Sequence, residues 1–331
     1  MRTLMLSLDQ EILNPDSRVA ARMRSYGQNK TIDIIIPSVK NNTVNLSPTV
    51  TAYGSGGTKW QQFFYLLKRG SGLLQLNNYE IITAQDPFLV GFAGMLLKQK
   101  KQIFEIQIHG DFFGGSYYRN SGLKNWLYYY LARWLVIPYA DQIRVVGERV
   151  KQSIIKLGIR EEKISVQPIV VPVKEIQEYI PKQNAHDLFP EFNKIFLCLG
   201  RLDTVKNVGW LIAVFNDYVH NNHVPVLLLI AGDGSERNQL EIQVKNLDAK
   251  NYIRFLGALK NPLDYLKTVD CLLFPSLSEG YGLVAMEAAA AGTKIIMNDV
   301  GVANYELKAS ERVTIVAVND WVEFMTALKN I

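Results

Sequence analysis

Short apolar runs recur along the chain, and segments of helical period separate them. Leu4–Leu8, Ile32–Ile36, Ile81–Thr83, Ile103–Ile108 and Ile143–Val146 are rich in aliphatic and β-branched residues and too short for helices, so they predict strands. Between them, Val19–Tyr26, Trp60–Lys68 and Leu89–Lys98 space their apolar residues as helices do. A proline-bearing stretch follows, Pro168–Pro190 with Pro172 and Pro181 inside it. It has no clear period and reads as a linker. The alternation then restarts with Ile195–Leu199, Val226–Ile230, Ile253–Leu256, Cys271–Phe274 and Lys294–Met297. This order predicts an α/β protein of two doubly wound domains, residues 1–170 and 171–331.

Composition agrees with folded domains. The 331 residues are 48% hydrophobic and 20% charged, which excludes a disordered chain. Cys198 and Cys271 lie far apart in apolar runs and read as small buried hydrophobes of a reducing compartment. Met1–Leu8 is too short for a secretory signal, and no run approaches the roughly 20 apolar residues of a spanning helix. The expectation is a cytoplasmic protein, soluble or peripheral on the inner face of the membrane.

Charge sharpens this. Residues 1–170 hold 21 Lys and Arg against 12 Asp and Glu, whereas the remainder holds 15 against 19. A basic first half suits an anionic partner, either a membrane surface or a phosphorylated acceptor. Nucleic acid is the third anionic class and is not the expected one. Asn125–Tyr139 is rich in aromatics and contains Arg133. It reads as a buried helix or acceptor-site wall, with an interfacial helix as the alternative. Lys98, Lys100 and Lys101 suit lipid headgroups or a solvated helix end equally. Tyr53–Trp60, Y-G-S-G-G-T-K-W, lacks the adjacent G-K-[ST] of a phosphate loop and reads as a flexible loop.

In open α/β sheets, ligands bind beyond the carboxyl ends of the strands. Three such places in the second half carry chemistry. After Ile195–Leu199 comes G-R-L-D-T-V-K-N, where Gly200 lets the backbone turn close to a ligand. Arg201 and Lys206 suit a diphosphate clamp, with surface salt bridges as the alternative. After Val226–Ile230 comes A-G-D-G-S-E-R. Arg237 stands where a third glycine would complete a dinucleotide fingerprint, so a tight strand-to-helix turn is the better account. After Cys271–Phe274 comes P-S-L-S-E-G-Y-G-L-V-A-M-E. A helix starting near Tyr281–Gly282 offers free amides to a phosphate. Glu279 and Glu287 would repel that phosphate, so hydroxyl groups are their fitting partners. A nucleotide sugar carries both a diphosphate and hydroxyls.

These motifs, with R-F-L-G at Arg254–Gly257, resemble the large glycosyltransferase family four, retaining enzymes with an E-x7-E pattern. The resemblance is strong across Lys194–Gly301 and looser in the first half. It implies the GT-B fold, two Rossmann-like domains facing across a cleft. It implies metal-independent, retaining hexosyl transfer without a cofactor, from a UDP-sugar or other NDP-sugar to a glycan or lipid-linked acceptor in cell-envelope or surface polysaccharide synthesis. Residue by residue, Arg201 and Lys206 match the diphosphate pair, and Glu279 matches the contact to the transferred sugar. Gly280, Tyr281 and Gly282 match the loop against sugar and phosphate, Leu283 and Val284 the phosphate-holding helix start, and Glu287 the ribose contact. Arg254 matches a base contact, and His109, after Phe104–Ile108, a residue near the reacting carbon. Three features depart from the family. Leu8–Glu11 lacks the glycine pair after the first strand, Val170–Val173 replaces N-G-V-D, and the C-terminal helix that crosses back onto the first domain is not found before Ile331. A disaccharide synthase, a sugar-nucleotide epimerase and an inactive scaffold are the competing readings. Intact Arg201, Lys206, Glu279 and Glu287 argue against the scaffold.

Overall fold

The computed structural model describes every residue except Lys59, Trp60 and His223. The end of the Tyr53–Trp60 stretch and the start expected for the following helix therefore lie outside the described residues; that helix is described over Gln62–Leu76. Two compact units divide the chain. One holds Met1–Val146 and Val150–Gln167, the other Gly147–Arg149 and Pro168–Ile331.

The first unit is built on eight strands. They are β1 (Arg2–Leu6), β2 (Thr31–Ile36), β3 (Thr43–Ser47), β4 (Val50–Gly54), β5 (Ile81–Ala84), β6 (Ile103–Ile108), β7 (Gln142–Val145) and β8 (Ile164–Val166). Their order is β3-β4-β2-β1-β5-β6-β7-β8, and only β3 runs antiparallel to its neighbour. β2 is buried along nearly its whole length, as a parallel strand covered on both faces must be. β3, β4 and β8 were not expected. They lie at or beside the sheet edges, where one face meets water and the sequence no longer reads as an apolar run. The Asn125–Tyr139 stretch is helical but not buried as expected, since Trp126, Leu127, Trp134 and Leu135 are exposed.

Asp33 is a buried carboxylate within β2, and the unit is organised to satisfy it. Arg2 donates to its Oδ2 from Nε at 3.0 Å and pairs from Nη2 at 2.9 Å. The Tyr79 hydroxyl donates to Oδ2 at 2.7 Å, and the Tyr53 hydroxyl donates to Oδ1 at 3.2 Å. Desolvation and then the Asp33 contact raise the Tyr79 pKa, so that phenol stays a donor. Removing the shared acceptor strands all three donors. Asp33→Ala should therefore destabilise the first unit by about 3 kcal/mol, read as a lowered urea midpoint.

Asp86 follows β5 and accepts the Phe88 N–H at 2.7 Å. Desolvation nevertheless raises its pKa to about 6, against the lowering effect of the Phe88 and Val90 amides. A carboxyl raised on folding contributes stability below its unfolded pKa and loses it as pH rises through about 6. Asp86→Asn keeps the acceptor without the charge. It should raise the melting temperature at pH 7 and lose that advantage near pH 4.

The second unit has strands β9 (Lys194–Leu199), β10 (Val226–Ala231), β11 (Ile253–Gly257), β12 (Cys271–Phe274), β13 (Lys294–Asn298) and β14 (Val313–Val316). All are parallel, in the order β11-β10-β9-β12-β13-β14. Phe196, Phe215, Leu228, Ile230 and Phe324 centre its core, with the Phe196 and Phe215 rings edge to face at 5.5 Å. Cys198 and Cys271 are both buried and free. The stretch read as a linker is tied down. Its helix Val173–Glu178 buries Ile176, and Lys267 Nζ donates to the carbonyls of Ile176, Gln177 and Tyr179 at 3.1, 2.8 and 2.7 Å. These partners lie some 90 residues away, beyond any local pattern.

Candidate functional site

The second sheet starts at its centre. From β9 the chain adds β10 and β11 on one side, then crosses to add β12, β13 and β14 on the other. β9 and β12 are therefore neighbours at the switch point, where their outgoing loops diverge and leave room for a ligand.

Three loops at these carboxyl ends are fastened to one another. Gly200 N donates to Ala231 O at 3.0 Å, Leu202 N to Asp233 O at 2.9 Å, and Glu236 N to Leu202 O at 2.9 Å. A Cβ on Gly232 would stand 1.7 Å from Gly200 O, and one on Gly234 would stand 2.3 Å from Leu202 O. The A-G-D-G turn thus has glycines because another backbone lies against it, in keeping with a tight turn. Asn207 adopts φ +57° and donates from Nδ2 to Pro275 O at 3.3 Å. Leu277 N donates to Val205 O at 2.8 Å. Asn298, fully buried, donates from Nδ2 to Pro275 O and Ser276 O at 2.7 and 3.1 Å.

This fastening sets Lys206 against Glu279. Lys206 Nζ lies 2.5 Å from Glu279 Oε1, with the side chains only 20% and 13% exposed. The same ammonium sits over the Phe274 ring at 5.5 Å. Gly200, Arg201, Lys206, Phe274, Pro275 and Ser276 line one small crevice here. The Arg201 side chain itself is 81% exposed and reaches only Asp203, at 3.4 Å. It is thus an exposed cation at the rim of the crevice that Lys206 occupies.

Beyond Glu279 and Gly280 the chain enters the helix Leu283–Ala291 through Gly282, at φ +98°. No side chain caps this helix, and Ala285 and Met286 are the first amides to bond back to Gly282 O. The amides of Leu283 and Val284 therefore precede the helical ladder, at the positive end of the dipole. Tyr281 is buried, and its carbonyl accepts the Val302 N–H at 2.7 Å. Arg149, which belongs to this unit, braces the loop behind it. It pairs with Asp299 and donates to Gly301 O at 2.9 Å and Ala303 O at 2.8 Å. Glu287 is partly buried, and among the described residues it has neither a hydrogen bond nor an ion pair. Desolvation raises its pKa, as it does for a carboxylate awaiting a partner.

Arg254 is not brought to this group. It lies inside β11, and its guanidinium donates to Glu191 at 3.2 Å and lies over Phe189 and Phe192 at 5.1 and 5.7 Å. Those partners precede β9, at the amino end of the sheet. Burying a long stem against two rings outweighs a position at the ligand edge. His109 follows β6 in the first unit. Desolvation, followed by the charges of Arg144 and Arg22, lowers its pKa, so the ring is neutral at pH 7. Also in that unit, Val39, Gly56, Gly57, Tyr65, Lys68 and Arg69 line an open pocket of about 550 Å³, so the Ser55–Gly57 turn after β4 forms part of a pocket wall. Sequence reading missed Asn207, Asn298 and Arg149. An asparagine closing G-R-L-D-T-V-K-N was the local signal for Asn207, since asparagine tolerates φ > 0; the other two act across the fold.

Comparison with known proteins gives this geometry a family. The description "Glycosyl transferases group 1" matches residues 180–331, and "Glycosyltransferase Family 4" matches residues 21–175. An uncharacterised glycosyltransferase of Methanocaldococcus jannaschii is 27% identical over 71% of this chain and 60% of its own length. The alpha-monoglucosyldiacylglycerol synthase of Streptococcus pneumoniae is 25% identical over 66% of this chain and 51% of its own. The chain thus spans 60% or less of the length of these two curated relatives. Among solved structures, Anabaena HepE in complex with UDP superposes with a TM-score of 0.71 at 13% identity, covering 99% of this chain and 89% of that one. With both halves matched and the GT-B architecture of two Rossmann-like domains present, the chain belongs to the group 1 glycosyltransferases of the family-four type.

Proposed function

We propose that the protein transfers a sugar, with retention and without a metal, from a UDP-sugar to a glycan or lipid-linked acceptor in envelope or surface polysaccharide synthesis. The Lys206–Glu279 pair at the switch point carries this reading. HepE, a fold neighbour, is described with UDP, and a curated relative is named as a glycolipid synthase. Both support the choice of donor and acceptor class.

In the donor-free protein Lys206 is held by Glu279. An arriving diphosphate offers two charges where Glu279 offers one, so Lys206 turns to the phosphate. Glu279 is then free to accept hydrogen bonds from hydroxyls of the transferred sugar. The Leu283 and Val284 amides and Arg201 meet the phosphate from other sides, with Gly200, Gly280, Tyr281 and Gly282 supplying backbone close to the ligand. Glu287 takes the ribose hydroxyls. As the bond between the anomeric carbon and the β-phosphate oxygen breaks, negative charge grows on that oxygen. Lys206, Arg201 and the helix amides stabilise it. The acceptor oxygen bonds to the anomeric carbon on the same face, and its proton passes to the leaving phosphate.

Lys206→Ala should weaken UDP binding about thirtyfold, since a charge-assisted contact to phosphate is lost. Glu279→Gln should behave oppositely toward UDP. It removes the competitor for Lys206, so affinity holds or tightens while sugar transfer falls about a hundredfold. Calorimetry with UDP and a transfer assay separate the two. Unchanged UDP affinity in Lys206→Ala, or UDP binding lost along with transfer in Glu279→Gln, contradicts the assignment. Glu287→Gln should weaken UDP more than inorganic diphosphate, because only UDP carries the ribose.

A further inference from the structure

One helical run in the first unit turns its apolar residues outward. It comprises Leu123–Leu131, a π-helical turn over Ala132–Val136 and a last turn over Ile137–Tyr139. Tyr129, Ala132 and Val136, spaced by three and four residues, form its buried side. Leu123, Trp126, Leu127, Trp134, Leu135 and Tyr139 are exposed, Leu123 by 82% and Trp134 by 65%. Single exposed apolar residues are ordinary on a protein surface, but six on one helical run are not.

The charge of this run has one sign. From Phe112 to Ala140 the sequence contains no Asp or Glu, while Arg119, Lys124 and Arg133 are cationic. Lys124 is exposed and lies over Tyr128 at 5.4 Å. Arg119 and Arg133 are half-buried: Arg119 lies over the buried Tyr129 at 5.7 Å, and Arg133 lies over Trp134 at 5.0 Å and donates to the Tyr129 hydroxyl at 3.2 Å. Lys98 lies over Tyr139 at 5.2 Å but is largely buried and paired with Asp141 at 2.8 Å, whereas Lys100 and Lys101 beyond it are exposed. Exposed aromatic and aliphatic side chains beside the exposed cations Lys124, Lys100 and Lys101 match the boundary between acyl chains and anionic headgroups. A second copy of the chain fits worse, since a two-fold contact would set this cationic face against itself. Among the described residues no helix is long and apolar enough to cross a membrane, so the contact is with the membrane surface.

We propose that this face docks the protein on an anionic lipid surface, with Trp126, Leu127, Trp134 and Leu135 entering the headgroup boundary and Lys124, Lys100 and Lys101 lying among lipid phosphates. The proposal does not depend on glycosyl transfer. Flotation with vesicles, without nucleotide, tests it. The full chain should float with phosphatidylcholine–phosphatidylglycerol vesicles, should not float with phosphatidylcholine alone, and should release as salt rises. Trp126→Ser with Trp134→Ser should lower the vesicle partition at least about tenfold. Lys124→Ala should lower it about fivefold. These positions are exposed, so unchanged circular dichroism and melting temperature should accompany the loss. The proposal is overturned if the wild-type chain ignores phosphatidylglycerol vesicles or if the double variant floats as well as the wild type. It is also overturned if light scattering shows a dimer that the double variant abolishes while vesicle binding is absent.

Discussion

The ion pair between Lys206 and Glu279 joins two loops 73 residues apart in sequence, and the candidate donor site depends on it. The pair exists because β9 and β12 are neighbours at the one place where successive connections leave the sheet in opposite directions. Backbone contacts then remove the freedom of those loops. Gly232 and Gly234 let one loop lie against another, and Asn207 and Asn298 fasten the Pro275–Ser276 backbone from two sides. Lys206 and Glu279 are thus positioned before any ligand arrives. A site held this way loses little freedom when it binds, which favours recognition of charge at a fixed point.

Two carboxylates of the E-x7-E stretch have different electrostatic situations, and the difference suits the two roles proposed for them. Glu279 is neutralised by Lys206 in the free protein. Glu287 has no such partner, and burial raises its pKa. A group already paired can be exchanged from one partner to another, whereas an unpaired one gains most from donors brought by a ligand. The first behaviour suits a switch between phosphate and sugar, and the second suits ribose hydroxyls. The two units also divide by charge. The acidic balance lies with the unit that carries the Lys206–Glu279 pair, and the basic surplus lies with the unit that carries the outward aromatic helix.

Much of this was legible in the sequence, for physical reasons that also mark its limits. Interior strands such as β10 are covered on both faces and read as unbroken apolar runs, and β2 departs from one only at Thr31 and at the paired Asp33. The edge strands β3 and β14 are half-wet and short, and they passed unread. The loop residues Gly200, Lys206, Glu279 and Gly282 follow strand ends directly, so knowing the strands located them. Arg254 lies on a strand that the sequence predicts, but its side chain contacts Glu191 and two phenylalanines, which no local pattern foretells. The aromatic stretch at Asn125–Tyr139 misled because aromatic content was taken as burial, whereas half of its large side chains face outward. Contacts such as Lys267 with the Ile176–Tyr179 carbonyls join distant segments and leave no trace in local periodicity.

The central claim is that a diphosphate is what the switch point of the second sheet recognises. Calorimetric titration of the intact protein with UDP and, separately, with uridine isolates that contribution, because the two ligands differ only in the diphosphate. The account predicts that UDP binds at least about a hundredfold more tightly than uridine, the effect of two or more charge-assisted contacts to phosphate. Equal affinity for the two, or binding of neither, would contradict it.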